Sequence, residues 1–159
     1  MSVKLAPKIQ RSQYKTGANE MGLVYAEIDL ISVDDLVLHR RGFLPKEKIK
    51  QVRVNSLVDS GAYMLVIDDN IKIQLDLPFI EKQIATLADD STVEVDVVGP
   101  VEIRFENRRA TVDAMVFPGN SEILLGAIPM EDMDVLIDPK QQKLIVNPKH
   151  PYVATKHVK

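Results

Sequence analysis

The sequence has no cysteine and no tryptophan, and aromatic residues make up only 5% of its 159 residues. Without cysteine the chain has neither a disulfide framework nor a thiolate metal site. No apolar stretch approaches the ~18 residues that suggest a membrane-spanning helix. The net charge of -3 lacks the basic excess that is typical of nucleic-acid binding. We therefore expect a cytoplasmic protein that binds neither membranes nor nucleic acid.

The apolar residues that remain are mainly valine, isoleucine and leucine, and the first two favour strands. Apolar and polar residues alternate over residues 24–30 and 52–58, as in half-buried strands. Many short strands with one or two short helices predict an all-β barrel or sandwich. We expect a single domain over residues 21–148, with a flexible arm over 1–20 and a flexible tail over 149–159.

Residues 33–49 contain the run His39-Arg40-Arg41-Gly42, and we interpret this segment as a long hairpin or strand extension with a basic turn. The other predicted elements are a helix over 69–76, a hairpin around 89–91, a chain turn at Gly99-Pro100, a helical turn from Pro129, and a last hairpin from 135–137 and 144–146.

The segment that indicates chemistry is Asp59-Ser60-Gly61-Ala62, which follows the apolar run Leu57-Val58. A carboxylate on a tight turn after a buried strand can act in hydrolysis when a second carboxylate lies ~3 Å away, because the two cannot both ionise and share one proton. The chain has one such turn, so two-fold symmetry in a homodimer would supply the second carboxylate. The nucleophile is then water, and neither a cofactor nor a metal is needed.

These residues resemble the retropepsin family of aspartic proteases, especially its bacterial single-domain relatives. Besides the Asp59 turn, the resemblance rests on residues 86–91 and on Ile123-Leu124-Leu125-Gly126. It implies a closed β-barrel with one lobe per chain, an obligate homodimer and endopeptidase activity on a peptide or protein substrate. It also implies that Asp59 is catalytic and that Leu125 and Gly126 support its turn. The same resemblance makes Ala88, Asp89, Asp90 and Ser91 a flap over the substrate.

The chain departs from the family at two positions that support substrate contacts and a dimer ion pair in retroviral members. Tyr63 replaces an Asp, and Ala127 replaces an Arg. The flap tip also lacks glycines. The missing glycines and the missing polar group at Tyr63 motivate an alternative, a non-catalytic peptide-binding or dimerisation module on the same fold. A further alternative is a β-sandwich adaptor in which the Asp59 turn has no catalytic role. For the dimer surface, residues 144–146 are the apolar candidates.

Overall fold

The alternating segments of the sequence form strands, which contain 46% of the residues that the structure describes against 19% in helices. The computed structural model describes residues 22–119 and 121–158, so the predicted arm over residues 1–20 lies outside the described residues. The strands of the described part are β1 (Val24–Ser32), β2 (Gln51–Val58), β3 (Leu65–Asp68), β4 (Phe79–Thr86), β5 (Thr92–Phe105), β6 (Arg108–Phe117), β7 (Leu124–Leu125), β8 (Val135–Asp138) and β9 (Lys143–Val146).

Seven of these strands form one sheet in the order β1-β2-β7-β3-β6-β5-β4, and β1 also pairs with β5. The short strand β7 runs parallel to β2 on one side and antiparallel to β3 on the other. Strands β8 and β9 form a separate antiparallel hairpin, as the sequence predicts. The prediction of a mostly β fold with short helices is therefore confirmed.

The prediction of a hairpin or strand extension over residues 33–49 is wrong. Residues Val33–Arg40 form helix α1, and a 3-10 turn follows at Lys46–Lys48. The hydroxyl of Ser32 caps α1 by accepting a hydrogen bond from the backbone N–H of Asp35 at 3.2 Å. The buried Asp35 carboxylate then accepts from the backbone N–H of Lys50 at 2.9 Å. Capping and dipole complementarity therefore favour a helix here, although the apolar residues of this segment lack helical periodicity.

The two remaining helices agree with the predicted ones. Helix α2 (Asp69–Leu75) begins after Asp68, whose carboxylate accepts from the backbone N–H of Ile71 at 2.9 Å. Helix α3 (Ala127–Met133) follows β7 and buries Met130 and Met133. None of the helices in the described part of the chain has the length and apolar character needed to span a bilayer.

Strand β5 continues through Gly99-Pro100, where the sequence suggests a turn between two strands. The Gly99-Pro100 peptide bond is cis, and the pairing of β5 with β6 shifts register between Val98 and Val101. The chain is therefore bent at an irregularity within one strand of 14 residues, and the predicted separation into two strands is wrong.

The apolar side chains form two clusters of unequal size. The larger one fills the interior between the sheet, α2, α3 and the β8–β9 hairpin, and it includes Leu75, Met133 and Leu144. The smaller one contains Leu57, Val66, Val95, Phe117 and Leu124, with partly buried residues packed around it. Leu144 is only 4% exposed within its own chain, so the expectation that it lies on a dimer surface is wrong.

The predicted tail makes contacts that the sequence does not indicate. The carboxylate of Asp134 accepts hydrogen bonds from the backbone N–H of Thr155 at 3.0 Å and from Asn147 Nδ2 at 3.0 Å, and lies 2.7 Å from His150 Nδ1. These contacts, with the Thr155 N–H the largest contribution, lower the pKa of Asp134 from 3.8 to about 2. The buried Arg108 guanidinium donates to the backbone carbonyl of His150.

Candidate active site

Asp59 follows the last residue of β2 and is only 5% exposed. Its backbone N–H donates to the carbonyl of Leu125 at 3.0 Å, which extends the β2–β7 pairing by one residue. Its side-chain Oδ1 accepts from the backbone N–H of Gly61 at 2.9 Å, and its carbonyl accepts from the N–H of Ala62 at 3.0 Å. The turn thus closes on itself, and the Asp59 carboxylate is held by the backbone of its own loop.

Gly126 lies directly beneath the segment that follows this turn. A Cβ atom on Gly126 would lie 2.8 Å from the carbonyl oxygen of Ala62 and 2.8 Å from the backbone nitrogen of Met64, and closer still to the carbonyl oxygen of Met64. All three neighbours are backbone atoms, so they cannot give way by a rotamer change. The absence of a side chain at residue 126 therefore permits the close approach of the two loops.

The first turn of α3 fixes the other end of the same segment. The backbone N–H of Ala127 donates to the carbonyl of Ala62 at 2.9 Å, and the N–H of Ile128 donates to the carbonyl of Tyr63 at 3.1 Å. Both donors belong to the first residues of a helix, whose N–H groups lack partners within the helix. The loop after Asp59 thus supplies acceptors to α3, and α3 in turn holds the loop in place.

Strands β4 and β5 form the predicted hairpin, whose turn spans Leu87 to Ser91. The N–H of Leu87 donates to the carbonyl of Ser91 at 2.8 Å, and Asp90 occupies the left-handed region with φ 68°. Asp89 Oδ1 accepts from the Ser91 N–H at 2.9 Å, which is an Asx-type turn. Across the hairpin, a hydrogen bond to Asp96 at 2.7 Å raises the pKa of Lys82.

A cavity of about 390 Å³ lies between this hairpin and the Asp59 turn. Asp59, Gly61 and Ala62 form one side of it, and Ala88 belongs to the other. The remaining lining residues are Tyr63, Met64, Val66, Ile84, Ala85, Thr86, Leu87, Met115, Phe117 and Leu124. The structure therefore brings Asp59, Gly61 and Ala62 of the predicted active-site turn and Ala88 of the predicted flap together around one space.

The other predicted site residues lie around this cavity and do not line it. Ser60 is exposed at the outer corner of the turn, and the hairpin-tip residues Asp89, Asp90 and Ser91 are exposed as well. Leu125 and Gly126 are buried beneath the turn, where they hold the backbone of Asp59 and the segment after it.

Sequence reasoning missed most of the apolar wall of the cavity. Val66 on β3, Met115 and Phe117 on β6, and Leu124 on β7 all line it. They come together because β3 runs parallel to β6 and beside β7. Each is apolar within a strand, which is the usual signal of a core residue, so nothing local separates a cavity wall from a filled interior.

The arrangement offers one carboxylate in a largely apolar cleft. Among the described residues that line the cavity, Asp59 alone carries a carboxyl group. A single carboxylate can act as a general base or a general acid, and it cannot do both in one step. Across residues 22–119 and 121–158, no cluster of three or more His, Asp or Glu side chains is placed to hold a metal ion.

A family model described as aspartyl protease matches residues 46–127, which are 82 of the 159 residues. The match begins before β2 and ends just after Gly126, so it includes the Asp59 turn, the β4–β5 hairpin and the loop beneath the turn. The chain belongs to the aspartyl protease family, and the resemblance given by its sequence is confirmed at that level. A search of curated proteins found none that matches the chain.

Proposed function

We propose that this protein is an aspartic endopeptidase that acts as a homodimer, in which Asp59 of each chain supplies one carboxylate of a shared pair. The observation that carries the proposal is the cavity itself, which has the buried Asp59 on one side and the β4–β5 hairpin on the other. The chain's membership of the aspartyl protease family supports peptide-bond hydrolysis as the reaction.

In this mechanism the two carboxylates hold one proton between them. The ionised carboxylate takes a proton from a water molecule, whose oxygen bonds to the carbonyl carbon of the peptide. The protonated carboxyl group donates its proton to the carbonyl oxygen, which gives a neutral tetrahedral intermediate. As the intermediate collapses and its carbon–nitrogen bond breaks, the carboxyl group that had accepted the water proton donates it to the leaving amine. A hydroxyl group of the intermediate returns its proton to the other carboxylate, which restores the shared proton.

The β4–β5 hairpin lies across the cavity from the Asp59 turn, which is the position that a flap would need. An extended peptide in the cavity would lie beneath Thr86, Leu87 and Ala88 and could add strand-like hydrogen bonds to them. The exposed pair Asp89 and Asp90 would then overhang the peptide and favour basic residues near the cleavage site. In this proposal residues 88–91 are the flap tip.

A second chain would complete the site from the exposed side of the Asp59 turn. Ser60 and Gly61 are exposed there, and the neighbouring Tyr63 and Ile128 are 70% and 39% exposed. The two apolar side chains belong to segments joined by the hydrogen bond from the Ile128 N–H to the Tyr63 carbonyl. We propose that they replace the ion pair that retroviral members form across the dimer, by burying apolar surface.

The proposal extends to the fold, which we interpret as a closed barrel with one lobe per chain. Strand β1 pairs with β5 as well as with its neighbour β2. This pairing supports the interpretation, because β1 and β5 are separated by four strands in the order of the sheet. Closure of this kind would leave β4 as the strand with a free edge, on the hairpin that overhangs the cavity.

The test is cleavage of a peptide library between pH 5 and 7 by the protein and by its Asp59→Asn variant. We expect Asp59→Asn to lower the rate by about 100-fold or more, because it removes the acid–base group and leaves the shape of the side chain unchanged. The matched control is Asp69→Asn, an exposed position at the start of α2, which should cleave normally. Cleavage by Asp59→Asn at the normal rate would refute the proposed role of Asp59.

A non-catalytic peptide-binding module remains the second candidate, and the hairpin tip is the observation that favours it. Two aspartates stand where glycines would allow the tip to approach a substrate backbone closely. In that case neither variant cleaves peptides, and both bind them equally. Sedimentation velocity adds an independent measurement, since the endopeptidase requires a dimer and a strictly monomeric protein would exclude it.

A further inference from the structure

The chain between β1 and β2 carries a local excess of positive charge. Residues 36–49, which we call the basic segment, include most of α1 and the 3-10 turn at Lys46–Lys48. They contain one acidic residue, Glu47, and the four basic residues Arg40, Arg41, Lys46 and Lys48, a net charge of +3. Because the whole chain has a net charge of -3, the remaining residues together carry -6. The total charge therefore does not show this local excess.

The positive charges of the basic segment are available to a partner. All four basic side chains are exposed, and none of them has an acidic partner among the residues that the structure describes. The next two basic residues along the chain are paired. Lys50 Nζ lies 3.0 Å from the carboxylate of Asp35, and Arg53 Nε lies 2.9 Å from that of Asp29. An anionic partner would therefore meet the charges of the basic segment first.

The backbone fixes the tip of the basic segment. Helix α1 ends at Arg40, and Gly42 follows in the left-handed region with φ 82°. The N–H of Gly42 donates to the carbonyl of His39 at 3.0 Å, and the N–H of Phe43 donates to the carbonyl of Leu38 at 2.8 Å. These two hydrogen bonds define a Schellman motif, which places the residues at positions 38 and 43 side by side.

The same tip presents apolar side chains and a satisfied backbone. Phe43 is 78% exposed and Leu38 is 41% exposed, and the neighbouring Pro45 is exposed as well. The N–H groups of residues 41–43 all donate within the segment, and His39 Nδ1 lies 2.9 Å from the carbonyl oxygen of Leu44. Such a tip can leave water at low cost, because few backbone groups lose a hydrogen-bond partner when it does so.

We propose that the basic segment binds the surface of an anionic lipid bilayer, with Phe43 and Leu38 inserted among the headgroups and the four basic side chains on the lipid charges. Peripheral binding of this kind combines a small buried apolar surface with attraction to anionic lipid. The sequence-based expectation that the chain binds no membrane rests on the lack of a long apolar run, which concerns a spanning helix and not a peripheral contact.

The apolar residues favour a bilayer over a nucleic acid. Proteins that bind single strands place successive bases on several aromatic side chains. Phe43 is the one phenylalanine, tyrosine or tryptophan within residues 26–62, and the exposed residues beside it, Leu38 and Pro45, are aliphatic. Aliphatic side chains around a single ring suit the acyl boundary of a bilayer and offer no further surface for base stacking.

The basic segment lies at the end of β2 that is remote from Asp59. Strand β2 begins at Gln51, just after the segment, and Asp59 follows its last residue. Eight residues of strand span roughly 26 Å. Binding to a bilayer through the basic segment would therefore leave the cavity beside Asp59 open to solution.

The test uses the full chain, which contains no tryptophan. Phe43→Trp places a single fluorophore at the tip, and the exposure of Phe43 means that the substitution should leave the fold intact. We expect its emission to shift to shorter wavelength with vesicles of phosphatidylcholine and phosphatidylserine, and not with phosphatidylcholine alone. The shift should decrease as NaCl screens the charges. The matched control is Tyr152→Trp, an 86% exposed position on the tail, which should show no shift.

Co-sedimentation with the same vesicles measures the contribution of the charges. Lys46→Gln combined with Lys48→Gln should weaken binding by about 25-fold, because each basic residue near an anionic surface contributes about fivefold. The matched control combines Lys140→Gln with Lys143→Gln, which removes the same charge from exposed positions of the β8–β9 hairpin and should bind normally.

Three results would overturn the inference. The first is an unchanged Phe43→Trp emission with phosphatidylserine vesicles at low salt, and the second is equal weakening of binding by the two lysine pairs. The third is a shift with single-stranded DNA and none with vesicles, which would identify nucleic acid as the partner. Asp59→Asn should bind vesicles as the unsubstituted chain does, so the outcome is independent of the proposed endopeptidase activity.

Discussion

Replacing Gly126 by alanine should destabilise the protein and disturb the Asp59 turn together. The backbone at Gly126 has φ -90° and ψ -174°, which alanine adopts readily, so the cost is purely steric. The new methyl group would meet the backbone of Ala62 and Met64 within 2.8 Å. Since backbone cannot rotate away, the loop after Asp59 must move as a unit.

The magnitude follows from the cost of overpacking a closely packed site, about 1–3 kcal/mol. For a chain of this size, 1 kcal/mol corresponds to roughly 2–4 °C in melting temperature, so we expect a decrease of about 2–12 °C. The displacement passes to Asp59 through the Ala62 N–H, which donates to the Asp59 carbonyl. If Asp59 acts in cleavage, a shift of about 1 Å at the turn should lower the rate by about 100-fold.

Differential scanning calorimetry and a peptide-cleavage assay on the same samples test both effects. The matched control is Gly22→Ala, because an added Cβ there has no heavy atom within 4 Å. A Gly126→Ala protein that melts at the same temperature as Gly22→Ala and cleaves at the normal rate would show that the loops do not pack as described.

Two more predictions concern stability. Leu75→Ala should cost about 2–5 kcal/mol in urea unfolding, because Leu75 is fully buried on α2. On the same helix Ile73 is 72% exposed, so Ile73→Ala should cost almost nothing, and equal costs would contradict the burial. The pKa of Asp134 is lowered to about 2, so its contribution to stability is present above pH 3.8 and is lost as the pH falls through about 2. Asp134→Asn should therefore be less stable than the natural protein at pH 6, and the difference should shrink in melting curves taken toward pH 2; a constant difference would contradict the sign.

Much of the fold could be predicted because strand alternation and turn residues are local signals. The β8–β9 hairpin and α2 were predicted from such patterns, and Asp68 caps α2 as expected. Helix α1 was missed although Ser32 and Asp35 form its cap. Its residues lack an apolar stripe, so the capping residues indicate a helix and the apolar pattern does not. In such a segment the end residues indicate a helix more reliably than the apolar pattern does.

Only part of the candidate site could be predicted from the sequence. The Asp59 turn and the hairpin tip carry distinctive residue types, and both were predicted. The apolar wall of the cavity depends on which strands become neighbours, and β3 pairs with β6 across more than forty residues of chain. The spacing of residues along the chain does not indicate which distant strands pair in parallel. Val66 and Phe117 could therefore be predicted to be buried, and their place beside a cavity could not.

The division of the apolar residues into two clusters separates stability from the site. The larger cluster contains Leu75 and Met133 and supports the whole domain, whereas the smaller one joins the Asp59 turn, the hairpin and Leu23, which precedes β1. A cavity at Leu75 or Met133, neither of which lines the cleft, should therefore lower the fraction of folded protein and leave the cleft of each folded molecule unchanged. A change at Phe117 or Leu124 alters the wall that an incoming peptide would contact, so peptide affinity should change among the molecules that remain folded.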